Sequence, residues 1–141
     1  MTDSPEQLGD FIVSIYKELK SKTEKELKPH GIGMGQLHIL MLFYARPNSR
    51  FSQNDLVKQL NIDKGNISRN VKKLMEKNYL EQADDHTKNY HLSEQGNEIK
   101  KEIMTAFMFL HQGMTKGIPQ NELQRTVQVL SKIAKNMEGL E

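Results

Sequence analysis

The sequence has 141 residues, of which 36% are hydrophobic and 27% are charged, and its formal net charge is +2. It is long enough to form one domain with a hydrophobic core of ordinary size. The chain contains no cysteine, which excludes a disulfide framework, a thiol nucleophile and a cysteine-ligated zinc site. Its polar start is no signal peptide, and its longest dense apolar run, residues 39–45, is far below the ~20 residues of a bilayer span. We therefore expect a cytoplasmic protein without membrane contact.

The first third of the chain predicts two helices. Ser4 is a good N-cap, Pro5 then falls at the first helical position, and Gln7 completes a capping box. The apolar residues of this helix recur at i, i+3, i+4 and i+7: Leu8, Phe11, Ile12, Ile15 and Leu19. A second helix is predicted from about Met34 to Ala45. Its apolar side carries Leu37, Leu40, Met41 and Tyr44.

The basic residues concentrate in the middle of the chain. Residues 1–49 and 92–141 each hold six basic and six acidic side chains, so the whole excess of +2 lies in residues 50–91. Residues 64–77 alone hold five basic side chains and one acidic side chain. A basic stripe inside a neutral protein is an electrostatic footprint for phosphate, although a solvated helix face gives the same pattern.

This middle segment predicts two short helices joined by a tight turn. Ser52 is an N-cap candidate for the first helix, with Asp55 three residues later. Asn61 can adopt the left-handed conformation that a tight turn requires. Asp63 can cap the second helix, because its charge suits a helix N-terminus.

The second of these helices has two different faces. Its apolar residues share one side at about 100° per residue: Ile67, Val71 and Leu74. The opposite side and its flanks are polar: Gly65, Asn66, Ser68, Arg69, Lys72, Lys73 and Glu76. A short helix, a turn and a second helix with basic and amide side chains are typical of a helix-turn-helix.

A β-hairpin and two more helices are predicted after this motif. The short runs 79–83 and 89–92 flank a polar turn, which indicates a hairpin. Ser93 caps a third long helix, which ends at Gly117 and Pro119. Its apolar stripe is Ile99, Ile103, Phe107 and Leu110, extended by Met104, Met108 and Met114. The last helix carries Leu123, Val127, Leu130, Ala134 and Met137.

The exposed residue types of the second short helix fit duplex DNA. A helix face without bulky apolar side chains can enter a major groove. Gly65 lets the helix backbone approach the DNA closely. The forked donors of Arg69 match guanine O6 and N7, and the amide of Asn66 can pair with adenine. Phosphate contacts are expected from Ser52, Lys64, Lys72 and Lys73.

Three features together resemble the winged-helix core of the MarR family of bacterial and archaeal transcription regulators. They are the pattern around DKGNISR, the hairpin, and the LSEQG segment that leads into a long helix. The resemblance is strongest over residues 52–96, and the flanking helices match the family's order. It implies a homodimer formed by the N- and C-terminal helices. The dimer would present two recognition helices to a pseudo-palindromic operator. The resemblance also implies a repressor that a small phenolic or anionic ligand releases from DNA.

The sequence departs from the family pattern in the turn of the hairpin. The family's Asp-x-Arg corresponds to Asp84, Asp85 and His86, and an arginine often found before the turn is Gln82. Lys88 or a protonated His86 can replace the missing arginine, so we expect DNA affinity to rise as the pH falls through the titration of His86. The complete set of predicted DNA contacts is Ser52, Lys64, Gly65, Asn66, Ser68, Arg69, Lys72, Lys73, His86 and Lys88.

Other candidate sites are weaker. The residues predicted to bind a small effector molecule are Lys17, Gln36, His38 and Tyr44. The five histidines do not have zinc-ligand spacing, and the neighbouring Asp84 and Asp85 have no nucleophile or glycine-rich loop nearby. We therefore predict no metal, no cofactor and no catalytic residue, and hence no enzyme.

The sequence thus predicts a mainly α winged helix-turn-helix protein with a small β-hairpin wing. Residues 1–48 and 93–141 are expected to form the dimerisation region, and residues 49–92 the DNA-binding lobe, within one structural domain. The partners are double-stranded DNA, a second copy of the chain and a small effector. The alternative is a winged-helix adaptor that binds RNA or another protein without recognising an operator.

Overall fold

The computed structural model describes residues 5–83 and 88–141. It is mainly helical with one small antiparallel sheet, which confirms the predicted fold class. The helices are α1 (Pro5–Leu27), α2 (Met34–Ala45), α3 (Gln53–Leu60), α4 (Lys64–Glu76), α5 (Glu94–Glu98), α6 (Lys100–Thr115) and α7 (Gln120–Glu138), with a 3-10 turn at Lys28–His30. The strands are β1 (Phe51–Ser52), β2 (Leu80–Gln82) and β3 (Asn89–Leu92).

The predicted hairpin is present, and it belongs to a sheet of three strands. The strand order is β1-β3-β2, with Phe51 opposite Tyr90 and Leu80 opposite Leu92. The sequence analysis missed β1, because a strand of two residues has no alternation to detect. We call the β2–β3 hairpin the wing. The predictions for Ser4, Asp84, Asp85 and His86 lie outside the described residues.

Local capping fixes the helix-turn-helix as predicted. Ser52 and Asp55 form a reciprocal capping box, in which the Asp55 N–H donates to Ser52 Oγ at 3.1 Å and the Ser52 N–H donates to Asp55 Oδ2 at 2.9 Å. Asn61 ends α3 in the left-handed conformation at φ 53°. Asp63 then caps α4 by accepting the Asn66 N–H at 3.0 Å.

The core forms around α2, which buries six of its twelve residues on one broad face. The predicted apolar side of α2 is therefore too narrow: Ile39 and Phe43 are also buried, whereas Met41 is only half-buried. Phe43 packs edge-to-face against Phe51 of β1, with ring centroids 5.1 Å apart. The other helices and strands bury Leu27, Leu56, Ile67, Val71, Leu74, Leu80, Ile99 and Ile103.

The helix expected after Ser93 begins as predicted and is then interrupted. The Ser93 side chain caps α5 by accepting the Gly96 N–H at 2.9 Å. The segment is divided into α5 and α6 at the single turn residue Ile99, whose backbone keeps right-handed helical angles (φ −73°, ψ −10°). Tyr44 of α2 secures this turn, since its hydroxyl donates to the Gly96 carbonyl at 2.7 Å.

The chain divides into two compact units, Met1–Phe107 and Met108–Glu141. The first unit contains the core described above. The second unit contains α7, which has no buried residue. Among the described residues, no helix is long and apolar enough to cross a membrane.

The N-cap of α4 gives a direct stability test. Asp63→Ala is expected to lower the free energy of unfolding by about 1 kcal/mol, because the Asn66 N–H loses its acceptor. Asp63→Asn should have little effect, since asparagine caps a helix equally well. Urea denaturation of the three proteins measures the difference. Equal losses in the two variants would show that the charge of Asp63, rather than its hydrogen bond, stabilises α4.

Candidate nucleic-acid interface

Helix α4 separates its side chains as the sequence predicts. Ile67, Val71 and Leu74 are at most 1% exposed and anchor the helix on the core. The other side of the helix faces solvent with the following exposed residues: Lys64, Gly65, Ser68, Arg69, Lys72, Lys73 and Glu76. Because the apolar face is fixed in the core, the orientation of this basic face is set by the fold.

The N-terminal half of α4 carries the side chains suited to base edges. Gly65 leaves room for Arg69, since a Cβ at position 65 would lie 3.3 Å from the Arg69 Nη1 atom and 3.4 Å from Asp63 Oδ2. The Arg69 guanidinium therefore lies over the first turn of the helix. Asn66 is half-buried, and its side-chain Oδ1 accepts a hydrogen bond from Asn70. Arg69 and Asn66 are thus close together on one end of the helix.

Ser52 lies at the N-terminus of α3 and combines two roles. Its Oγ accepts the Asp55 N–H, and the residue is also a predicted phosphate contact. Hydrogen bonds from the Ser52 backbone N–H and from its side chain lower the pKa of Asp55. The carboxylate at position 55 therefore stays charged and keeps the capping box closed at neutral pH.

The described part of the wing contains Lys88, one of the two wing residues predicted to contact DNA. Lys88 is exposed directly before β3. Tyr90 of β3 lies close to α3, because its hydroxyl oxygen accepts a hydrogen bond of 3.4 Å from Gln53 Nε2. The wing base is therefore joined to the helix-turn-helix, while the role predicted for His86 lies outside the described residues.

The four residues that are predicted to bind an effector molecule occupy different environments. Lys17 and His38 are exposed, whereas Gln36 and Tyr44 are buried. Gln36 Oε1 accepts a hydrogen bond of 3.0 Å from Lys77 Nζ, and burial raises the pKa of Tyr44, which donates to Gly96. No hydrogen bond within the described residues joins any two of the four.

Sequence reasoning missed the contacts that hold the C-terminal end of α4. Lys77 Nζ donates both to Gln36 and to the Gly31 carbonyl, and the Tyr79 hydroxyl donates to the His30 carbonyl at 2.9 Å. These bonds connect the end of α4 to the segment before α2 and to the first turn of α2. The partners are about 40 to 50 residues apart, so no local pattern indicates them. Within the described ranges, no cluster of three or more histidine, aspartate or glutamate side chains could hold a metal ion.

The fold and this surface together define a winged helix-turn-helix protein. Residues 30–88 match the model of the MarR family. The HTH-type transcriptional regulator BilQ of Clostridioides difficile is 25% identical over 129 residues, which cover 89% of this chain and 86% of BilQ.

Two solved structures share the fold of the chain. The Staphylococcus aureus MepR–DNA complex is 22% identical, with a TM-score of 0.81 and coverage of 90% of this chain and 94% of that one. Staphylococcus aureus MarR in complex with salicylate and kanamycin is 20% identical, with a TM-score of 0.82 and coverage of 96% and 93%. At these identities the structural likeness shows the fold.

The match over residues 30–88 agrees with the resemblance to the MarR family that the motifs indicate.

Proposed function

We propose that the protein is a homodimeric repressor that recognises a pseudo-palindromic operator in double-stranded DNA. The observation that carries this proposal is α4, whose apolar face is locked in the core while its amide and basic side chains face solvent. Such a helix can enter a major groove without exposing apolar bulk to the phosphates. The DNA complex of MepR, a protein of the same fold, supports this use of the fold.

The residues of the interface divide into two groups by their chemistry. Arg69 and Asn66 lie near the N-terminus of α4, the end that commonly contacts base edges, and we assign them to sequence readout. Lys64, Lys72 and Lys73 are point charges on flexible stems and suit phosphates. Ser52, Ser68 and Lys88 extend the phosphate contacts along the backbone, and Gly65 allows the close approach.

This division predicts different results for two substitutions. Arg69→Ala should relax base preference at one operator position and weaken operator binding by about 1–3 kcal/mol. Lys73→Ala should weaken binding to all duplexes alike and reduce the dependence of log affinity on log salt by about one charge. Fluorescence anisotropy with operator and random duplexes at several salt concentrations measures both effects.

Lys116→Ala provides the control for this comparison, because Lys116 is an exposed lysine outside the helix-turn-helix. It should leave affinity and base preference unchanged. The division into base readers and phosphate contacts is wrong if Arg69→Ala and Lys73→Ala change binding in the same way. Binding that is insensitive to both substitutions would contradict the use of α4 for DNA.

The exposed apolar side chains of the terminal helices support a homodimer. On α1 the exposed apolar residues are Leu8, Phe11, Ile12, Val13, Ile15 and Tyr16. The second unit exposes Met108, Phe109, Met114, Ile118, Val127, Val129, Leu130 and Met137. Many exposed apolar side chains on a small protein mark an interface, and a two-fold dimer would present two copies of α4 about one helical turn of DNA apart.

Release from DNA by a small anionic or phenolic ligand completes the proposed cycle. The salicylate complex of Staphylococcus aureus MarR supports this step, because that protein has the same fold. The proposed effector-binding residues remain Lys17, Gln36, His38 and Tyr44. Gln36 and Tyr44 would first have to break their hydrogen bonds to Lys77 and Gly96. We place the protein in the cytoplasm, which holds the DNA of bacteria and archaea.

A further inference from the structure

An asparagine outside the predicted interface contacts the candidate base reader Asn66. Asn70 lies one helical turn after Asn66 on α4 and is half-buried. Its Nδ2 atom is 3.0 Å from the Asn66 backbone oxygen and 2.5 Å from Asn66 Oδ1. One amide group of Asn70 therefore bonds to both the backbone and the side chain of the preceding turn.

Hydrogen-bond chemistry fixes the orientation of both amides. The backbone carbonyl of Asn66 can only accept, so the Asn70 atom that faces it must be the Nδ2 donor. The second N–H of Asn70 then requires an acceptor, which must be Asn66 Oδ1. Asn66 Nδ2 consequently points away from Asn70. Within the described part of the chain it has no hydrogen-bond partner of its own.

A glycine on α2 makes this arrangement possible. A Cβ on Gly35 would lie 2.5 Å from Asn70 Nδ2 and 2.9 Å from its Cγ, closer than real Cβ contacts. The Asn70 amide thus lies directly against the bare backbone of α2. Gly35 leaves the space in which the Asn70 amide can reach Asn66.

We propose that Asn70 is a positioning residue that holds the Asn66 amide with its N–H donors toward the major groove. This inference rests on the proposed function and narrows it. An outward donor selects a base that offers an acceptor in that groove, which is a purine N7, guanine O6 or thymine O4. It disfavours cytosine, whose N4 group is itself a donor. Position 66 therefore reads an acceptor in general rather than adenine alone.

The test uses the duplex that the protein selects from a random pool, with each base placed in turn at every operator position. Wild type should disfavour cytosine about tenfold at one position of each half-site. Asn70→Ala should reduce this to less than about twofold, because the freed amide can rotate to accept as well as donate. Alanine has a higher helix propensity than asparagine, so the variant should fold.

Gly35→Ala should produce the same loss of discrimination against cytosine while both asparagines stay in the sequence. The new methyl group displaces the Asn70 amide from its place beside Asn66. Gly33→Ala is the matched control, since its Cβ would meet only Gln36 Nε2 at an ordinary 3.7 Å. It should keep the wild-type preference. Asn66→Asp should shift the preference toward cytosine, since it places an acceptor where wild type has a donor.

Two results would overturn the proposal. One is an unchanged base preference in Asn70→Ala and Gly35→Ala. The other is an equal loss of affinity for all duplexes, which would reduce Asn70 to a structural role. If wild type itself preferred no duplex, the proposed function would fail together with this inference, whereas specific binding with an unaffected Asn70 variant would refute the inference alone.

Discussion

Gly96→Ala is expected to lower the free energy of unfolding by about 3 kcal/mol, a large share of the stability of a small protein. A Cβ at this position would lie far inside van der Waals contact of the Tyr79 backbone oxygen and 3.1 Å from Leu92 Cδ2. That oxygen also accepts the Ser93 N–H at 3.1 Å. Backbone cannot rotate away as a side chain can, so α5 must shift and weaken the bonds that hold it.

The shift should also reach α2. Tyr44 donates to the Gly96 carbonyl at 2.7 Å, and a moved Gly96 would leave a buried hydroxyl without its acceptor. Urea denaturation followed by circular dichroism measures the loss. Gly113→Ala is the control, because no atom lies within 4 Å of its Cβ position and alanine favours the helix. Equal stability of Gly96→Ala and wild type would show that α5 does not pack tightly against the Tyr79 backbone.

Phe11→Glu should convert the proposed dimer into monomers and weaken operator binding by at least about 100-fold. Phe11 is 62% exposed in a single chain and lies in the middle of the apolar residues of α1. In a dimer interface a glutamate there would bury an unpaired charge, which is strongly unfavourable. Monomers bind one half-site at a time and lose the gain from binding both halves together.

Light scattering after size exclusion measures the mass, and anisotropy measures the operator affinity. Asp10→Lys is the control, because it changes a charge on the polar side of α1. The control should remain a dimer with wild-type affinity. A Phe11→Glu protein that keeps both dimer mass and operator affinity would contradict the assignment of α1 to the interface.

Local chemistry allowed much of the fold to be predicted. Ser52, Asp63 and Ser93 cap helices where the sequence places them, because a cap depends on a side chain and the three residues after it. Asn61 adopts a positive φ at the predicted end of the first short helix. The exposed face of α4 also follows from its own periodicity.

Contacts between distant segments could not be predicted in this way. The two-residue strand β1 exists because it pairs with β3, about 40 residues later. The break at Ile99 accompanies the bond between Tyr44 and Gly96, which no local pattern contains. In the candidate interface, the spacing of Asn66 and Asn70 is visible in the sequence, whereas the glycine that accommodates Asn70 lies on another helix.

Selection of bound duplexes from a random pool tests most directly whether α4 reads DNA sequence. Wild type should enrich a pseudo-palindrome whose half-sites are about 10 base pairs apart, as two copies of α4 in a symmetric dimer require. Arg69→Ala should enrich the same sequence with one relaxed position in each half. Failure of wild type to enrich any sequence above the random pool would contradict the central claim.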